Sequence, residues 1–173
     1  MKTTDFLSVK GIKLDLEATD KEGVLQEMVD LLAEVKSVGD KKAILKALIE
    51  REIARGVPSR RIVLAGFSQG CAITLLAGVR CAHRLAGLAG LSGYLPLTAR
   101  TAAEADPANR DVPIFMAHGQ NDGVVLPARG KAARDQLQSL GWAVEWREYP
   151  MEHAVCIEEV TALRSWLLRV LAA

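Results

Sequence analysis

The chain of 173 residues lacks an excess of charge of either sign: 22 Lys and Arg stand against 21 Asp and Glu, a net charge of +1. So even a balance leaves no electrostatic footprint for nucleic acid or an anionic membrane, and neither partner is expected. No uninterrupted apolar run approaches the roughly 18–20 residues of a membrane span. The opening Met1-Lys2-Thr3-Thr4-Asp5 has no apolar core of the kind a secretory signal needs. Cysteines are few and odd in number, Cys71, Cys81 and Cys156, at no metal-ligand spacing. They point to free thiols in a reducing cytoplasm, with no metal centre. Internal repeats, low-complexity tracts and an interdomain linker are absent as well. What is present is ordinary for a globular protein: half of the residues are hydrophobic and a quarter charged, at a length that suits a single domain over 1–173.

Periodicity supplies the elements. Ile12-Lys13-Leu14-Asp15-Leu16 alternates apolar and polar, which predicts a half-buried strand. Thr19-Asp20-Lys21-Glu22 is a capping box, and Val24, Leu25, Met28, Val29, Leu32 and Val35 then predict a helix over about 21–36. A second helix carries Ile44, Leu45, Leu48, Ile49 and Ile53 and stops near Gly56-Val57-Pro58. The continuously apolar run 62–65 reads as a strand buried on both faces, followed by a helix over 69–82. Further strands are predicted over 85–91 and 112–117, with a helix over 127–140. Trp142, Val144 and Trp146 alternate with Ala143, Glu145 and Arg147, the pattern of a half-exposed edge strand. A last amphipathic helix runs through Val160, Leu163, Trp166, Leu167 and Val170. The polar stretch 98–111 is expected to be a surface loop with one helical turn. The regular alternation from residue 61 onward predicts an α/β fold, a three-layer αβα sandwich on a mostly parallel sheet of about five strands.

One pentapeptide carries chemistry. Gly66-Phe67-Ser68-Gln69-Gly70 is a G-x-S-x-G sequence between a predicted buried strand and a helix, the context of a nucleophile elbow. There a serine sits on a sharp, strained turn, flanked by glycines that avoid clashes with strand and helix. The backbone N–H of Gln69 can point at a developing oxyanion. The plainer reading is a Gly-rich helix start with Ser68 as its N-cap. A serine needs a base, and the base needs an orienting carboxylate. His153, in the loop before the last helix, can overhang the C-terminal edge of a parallel sheet. Asp122, on the loop beyond the preceding strand, can reach it from the same edge. The candidate set is therefore Ser68 as nucleophile, His153 as general base and acid, and Asp122 as orienting acid. Glu152 competes for the acid role but is awkwardly placed beside His153. His118 is assigned a structural role at a strand end, and His83 a place on the surface.

With these motifs in hand, residues 51–173 resemble the phospholipase/carboxylesterase family, a group similar to acyl-protein thioesterases. The resemblance rests on the G-x-S-x-G sequence, Leu91-Ser92-Gly93-Tyr94-Leu95-Pro96, the stretch from His118-Gly119 to Val125, and Met151-Glu152-His153. It places the family's triad on Ser68, Asp122 and His153. It implies hydrolysis of a small carboxylic ester or thioester through an acyl-enzyme, without cofactor or metal. Cys71 stands where a second glycine is common in the family, and is read as a packing residue.

The family's N-terminal His-Gly-Leu-Gly-like loop, which completes its oxyanion hole, has no match between Met1 and Gly66. Instead, residues 1–52 resemble the start of a fructose/mannitol-type enzyme IIA domain of the bacterial phosphotransferase system. That likeness rests on Thr3-Thr4-Asp5-Phe6-Leu7, the strand 12–16, Ala18-Thr19-Asp20-Lys21 and Ala47-Leu48-Ile49-Glu50-Arg51-Glu52. The phospho-accepting histidine of that family is missing, so phosphotransfer is not expected. Two origins fit: an engineered or recombined chimera whose 1–52 segment is joined within a helix to a hydrolase-like segment 53–173, or a naturally truncated or diverged esterase. Two functions fit as well, an esterase and a chimeric structural protein that keeps the triad residues without a working site. In the first, the foreign β-α-α unit covers the edge of the sheet, and its helix over 21–36 could stand in for the missing oxyanion donor.

Overall fold

The computed structural model describes residues 41–172. The strand expected over 12–16 and the helix over 21–36 lie outside these residues, and with them the fifth strand and the first two elements of the β-α-α unit. From Leu45 onward the chain forms one compact unit. Helix α1 (Lys41–Ala54) ends ahead of Gly56, whose φ of +92° lies in the left-handed region that glycine reaches without a Cβ penalty. Then follow β1 (Val63–Phe67), α2 (Gln69–Gly78), β2 (Gly87–Leu91), α3 (Thr98–Glu104), β3 (Ile114–Gly119), α4 (Pro127–Ser139), β4 (Val144–Tyr149) and α5 (Ile157–Ala172).

The four strands form one sheet in the order β1-β2-β3-β4, every pair parallel. Parallel strands must be joined by crossovers, and each of these sequences has a helix in the intervening segment. Alternation along the strands divides the apolar residues between two faces. Leu64, Leu88, Ile114 and Met116 pack with Ile49 of α1, Leu75 of α2 and Leu137 of α4. Ala89, Leu91, Phe115 and Ala117 pack with Trp166 of α5. The result is the three-layer αβα architecture. Fully buried side chains such as Leu75 and Phe115 each contribute about 1.5–3 kcal/mol of apolar burial. Among the described residues no helix is long and apolar enough to cross a membrane.

Two expectations are corrected. Strand β1 is not buried on both faces: Leu64 is buried, but Ala65 and Phe67 are exposed. Helix α5 lies over β2, β3 and β4, and Val63 at the start of β1 packs against the same cluster. The stretch 98–111 is more than a surface loop with one turn. It holds α3 and a 3-10 turn (Pro107–Asn109), with Thr101 and Asn109 both 0% exposed. Arg80, just past the end of α2, ties α3 down, with its Nε donating to Glu104 at 2.7 Å. Asn109 works as a clamp at the N-terminal edge of the sheet. Its Oδ1 accepts the Leu85 N–H at 2.9 Å, its Nδ2 donates to the carbonyls of Cys81 and His83, and its own carbonyl accepts Trp142 Nε1–H at 2.7 Å.

Helix α5 opens with Glu158 and Glu159 in its first turn, where the helix dipole favours negative charge. Glu159, however, is fully buried and neither carboxylate oxygen has a hydrogen-bond partner. Burial pushes its carboxyl up from 4.5 to about 7. The folded state thus holds this proton between about pH 4.5 and 7 while the unfolded chain releases it, so stability falls as pH rises through that window. Glu159→Gln is expected to abolish this decline. Urea unfolding should find the variant more stable than the parent by about 1–3 kcal/mol at pH 8, and the two alike at pH 4. At the opposite edge, Asn109→Ala strips partners from buried backbone groups and is expected to cost about 2–4 kcal/mol, read as a lowered urea midpoint with an unchanged slope.

Candidate active site

At the end of β1 the chain turns sharply into α2, and the residue at the corner is Ser68. Its φ of +57° and ψ of −119° lie in a region that side-chain-bearing residues avoid, at a cost of about 1–3 kcal/mol. The turn is pinned from both sides. Ser68 N–H donates to the Leu91 carbonyl at the end of β2 at 2.8 Å, and the Ser68 carbonyl accepts from Ala72 in the first turn of α2. The plainer reading of Ser68 as an N-cap does not hold, because its side chain makes no capping hydrogen bond.

The loops after β3 and β4 meet above the same edge of the sheet. Gln120 N–H donates to Tyr149 O at 2.8 Å and Asn121 N–H to Met151 O at 3.0 Å, extending the pairing of Gly119 with Tyr149. This close approach is why glycine stands at 119: a Cβ there would overlap the carbonyl oxygens of Met151 and Glu152. Asp122 is thereby held beneath His153. Its side chain has no exposed surface, and every lone-pair direction must find a donor. Oδ1 accepts the N–H groups of Val124 and Val125, each at 2.9 Å, and Oδ2 accepts His153 Nδ1–H at 2.7 Å. Burial alone would raise this carboxyl, but the hydrogen bonds from His153, Val125 and Val124 outweigh it and hold it below its ordinary value.

His153 completes the set. With Nδ1–H directed at the carboxylate, Nε2 is left as the acceptor and lies 3.0 Å from Ser68 Oγ. The Phe67 ring tilts against the imidazole at 4.7 Å between centroids. The imidazole remains 17% exposed, so a substrate can reach it. Beside it opens a pocket of about 540 Å³ lined by Asn121, Gly123, Val124, Glu152, His153 and Ala154.

The structure therefore brings Ser68, His153 and Asp122 together. Gln69 is the first residue of α2, next to Ser68, where helix N–H groups have no intrahelical acceptor. Glu152 is exposed, while Asp122 takes the Nδ1 hydrogen bond. His83 is half-buried and lies before β2, at the opposite edge of the sheet. Cys71 is fully buried, and burial pushes its thiol up to about 12, where it cannot act as a nucleophile at neutral pH. Among the described residues no group of three His, Cys, Asp or Glu side chains converges as metal ligands would.

One expectation about the elbow is corrected. Only Gly66 is sterically required: a Cβ there would overlap the Gly70 carbonyl and come within 2.7 Å of Cys71 N. A Cβ on Gly70 would meet nothing within 4 Å among the described residues, because at that crossing it is the backbone of Gly70, not its side-chain direction, that faces the strand. Two contributors escaped the sequence reading, Gly119 and Phe67. The His118-Gly119 pair at a strand end was the available signal for the first. Nothing local signalled the second.

Comparison with known proteins defines the class. A family model described as Phospholipase/Carboxylesterase matches residues 26–171, and the chain belongs to that family. It is 35% identical over 170 residues to an acyl-protein thioesterase 1 of Yarrowia lipolytica, spanning 96% of this chain and 69% of that protein. It is 42% identical over 127 residues to an acyl-protein thioesterase 1 of Gibberella zeae, spanning 72% of this chain and 54% of the relative. The chain thus matches between about half and seven-tenths of the length of these relatives. Among solved structures, Arabidopsis thaliana SOBER1 superposes with a TM-score of 0.71 at 28% identity, covering 91% of this chain and 69% of that one. The hydrolase match enters at residue 26, inside the segment that resembles enzyme IIA, and the Yarrowia alignment spans nearly the whole chain. The enzyme IIA likeness and the chimeric or engineered origin find no support in these matches, and residues 26–52 go to the hydrolase family instead.

The asymmetry of the elbow glycines is testable. Gly66→Ala is expected to destabilise the protein by more than about 2 kcal/mol through backbone overlap, whereas Gly70→Ala should be neutral or gain up to about 1 kcal/mol of helix propensity. Thermal unfolding of the two variants side by side distinguishes them.

Proposed function

We propose that the chain is a carboxylic ester or thioester hydrolase in which Ser68 attacks, His153 moves the proton and Asp122 orients the imidazole. The observation that carries this reading is the continuous hydrogen-bond chain from Ser68 Oγ to His153 Nε2 at 3.0 Å and from His153 Nδ1 to Asp122 Oδ2 at 2.7 Å. Distances of this size are within reach of proton transfer and fix the imidazole tautomer that can accept the serine proton. Membership of the phospholipase/carboxylesterase family and the names of the acyl-protein thioesterase relatives support the same chemistry.

In the proposed reaction Ser68 Oγ bonds to the acyl carbon as its proton passes to His153 Nε2. The carbonyl oxygen becomes an oxyanion, and in this reading the Gln69 N–H at the start of α2 stabilises it. The imidazolium formed faces the Asp122 carboxylate, which stays ionised because its three donors favour that form. Collapse breaks the bond from the acyl carbon to oxygen or sulfur, and His153 hands its proton to the departing alcohol or thiol. Water then enters by the same route in reverse and releases the acid. The substrate class is a small acyl ester or thioester.

Labelling with a fluorophosphonate probe together with p-nitrophenyl acetate turnover tests the proposal. Label on Ser68, and a turnover loss of about a thousandfold or more in both Ser68→Ala and Asp122→Asn, is expected. Turnover that survives unchanged in Ser68→Ala would end the reading.

A further inference from the structure

The buried carboxylate has a neighbour that the reaction does not use. His118 is the penultimate residue of β3, is 1% exposed, and its Nε2 lies 2.8 Å from the Val125 carbonyl and 3.4 Å from Asp122 Oδ2. A carbonyl can only accept, so Nε2 carries the hydrogen. Val125 is also one of the two residues whose N–H groups hold Asp122 Oδ1. The His118 donor and the Asp122 acceptor therefore grip opposite sides of the same peptide segment. The imidazole itself has little room to move. Its ring stacks on Trp146, 6.2 Å between centroids and 28° between planes. On another side a Cβ at Gly130 of α4 would overlap His118 Nδ1 and lie 3.0 Å from Cε1. A side chain packed this closely, bonded to the turn that holds the acid, does more than fill the end of a strand.

We infer that His118 is a positioning residue of the hydrolytic site: by anchoring the Val125 carbonyl it fixes the 122–125 turn, and with it the aim of the Asp122 carboxylate at His153. The inference rests on the proposed hydrolase reading for its catalytic consequence, but its structural content, the Asp122–His153 hydrogen bond, stands apart from turnover. Loss of the anchor frees Val125, weakens two donors to Oδ1 and lets Oδ2 drift from His153 Nδ1. A misplacement of that kind is felt in the chemical step rather than in binding, because Asp122 acts through the imidazole and not on the acyl group.

Three variants separate anchoring from packing. His118→Gln keeps an N–H donor near the Nε2 position. His118→Asn keeps a donor too short to reach Val125. His118→Phe keeps the ring and loses the donor. Expected is a fall in kcat of about ten- to a hundredfold in the Asn and Phe variants with KM little changed, and recovery of most of that loss in the Gln variant. In parallel, the downfield proton NMR resonance of His153 Nδ1–H should persist in the parent and His118→Gln and broaden or vanish in His118→Asn and His118→Phe. The inference is overturned if His118→Phe or His118→Asn keeps both its kcat and the resonance, or if the Gln variant is as impaired as either. If one of the variants does not fold, the other still decides against His118→Gln. Should the parent show no Ser68-dependent turnover, the hydrolase reading fails, and the resonance alone still decides whether His118 positions Asp122.

Discussion

A carboxylate with no exposed surface has to be paired completely or give up its charge, and the C-terminal edge of this sheet is arranged around meeting that demand at Asp122. Two backbone N–H groups from its own turn and one imidazole N–H from the next loop are gathered for it, and a second histidine holds that turn through the Val125 carbonyl. Each of these donors requires something further away. The turn needs a strand that ends at His118-Gly119. The imidazole needs a loop that can lie against Gly119 without a side chain in between. That loop needs β4 to pair in register with β3 so that Tyr149 ends opposite Gly119. Desolvation is thus the constraint, and the topology of the edge follows from it.

The parallel sheet supplies the other half. In a parallel arrangement all strands deliver their C-terminal ends to one edge, and helices start there with free N–H groups. Ser68 and Gln69 come from the β1–α2 corner, Asp122 from the β3 exit and His153 from the β4 exit. None of the three side chains is near another in sequence, yet each is one to four residues past the end of its strand. The opposite edge is used differently. There Asn109 binds backbone groups of the connection before β2 and the indole of Trp142, and no part of the candidate site lies on it.

Much of this was legible in the residues. Short apolar runs bounded by glycine and helical periodicity located four strands and their helices to within a few positions, because strands inside a three-layer fold must be apolar and a helix facing such a sheet must be amphipathic. The G-x-S-x-G sequence was readable because only a few residue types survive a corner with positive φ and close helix packing. Other features were hidden for physical reasons. That Gly66 and Gly70 differ depends on which way an absent Cβ would point. That Ala65 and Phe67 are exposed while Leu64 is buried depends on what each face of β1 meets in the fold. That Asn109 is a buried clamp rather than a loop residue depends on groups more than twenty residues away. The likeness of residues 1–52 to enzyme IIA finds no such support. A strand followed by two amphipathic helices is a pattern many α/β chains share, and a family match that begins at residue 26 outweighs it.

The hydrogen bond between Ser68 and His153 closes a separation of 85 residues, whereas that between His153 and Asp122 closes 31. The two halves of the site therefore carry different loop-closure costs. The acid and the base are united once β3 and β4 pair, but the serine joins them only when β1 has docked on β2 and the whole sheet stands. A partly assembled chain would hold an oriented imidazole with nothing to activate. Reactivity at Ser68 is in consequence a report on the completeness of the fold, and a probe that labels it counts native molecules rather than merely compact ones.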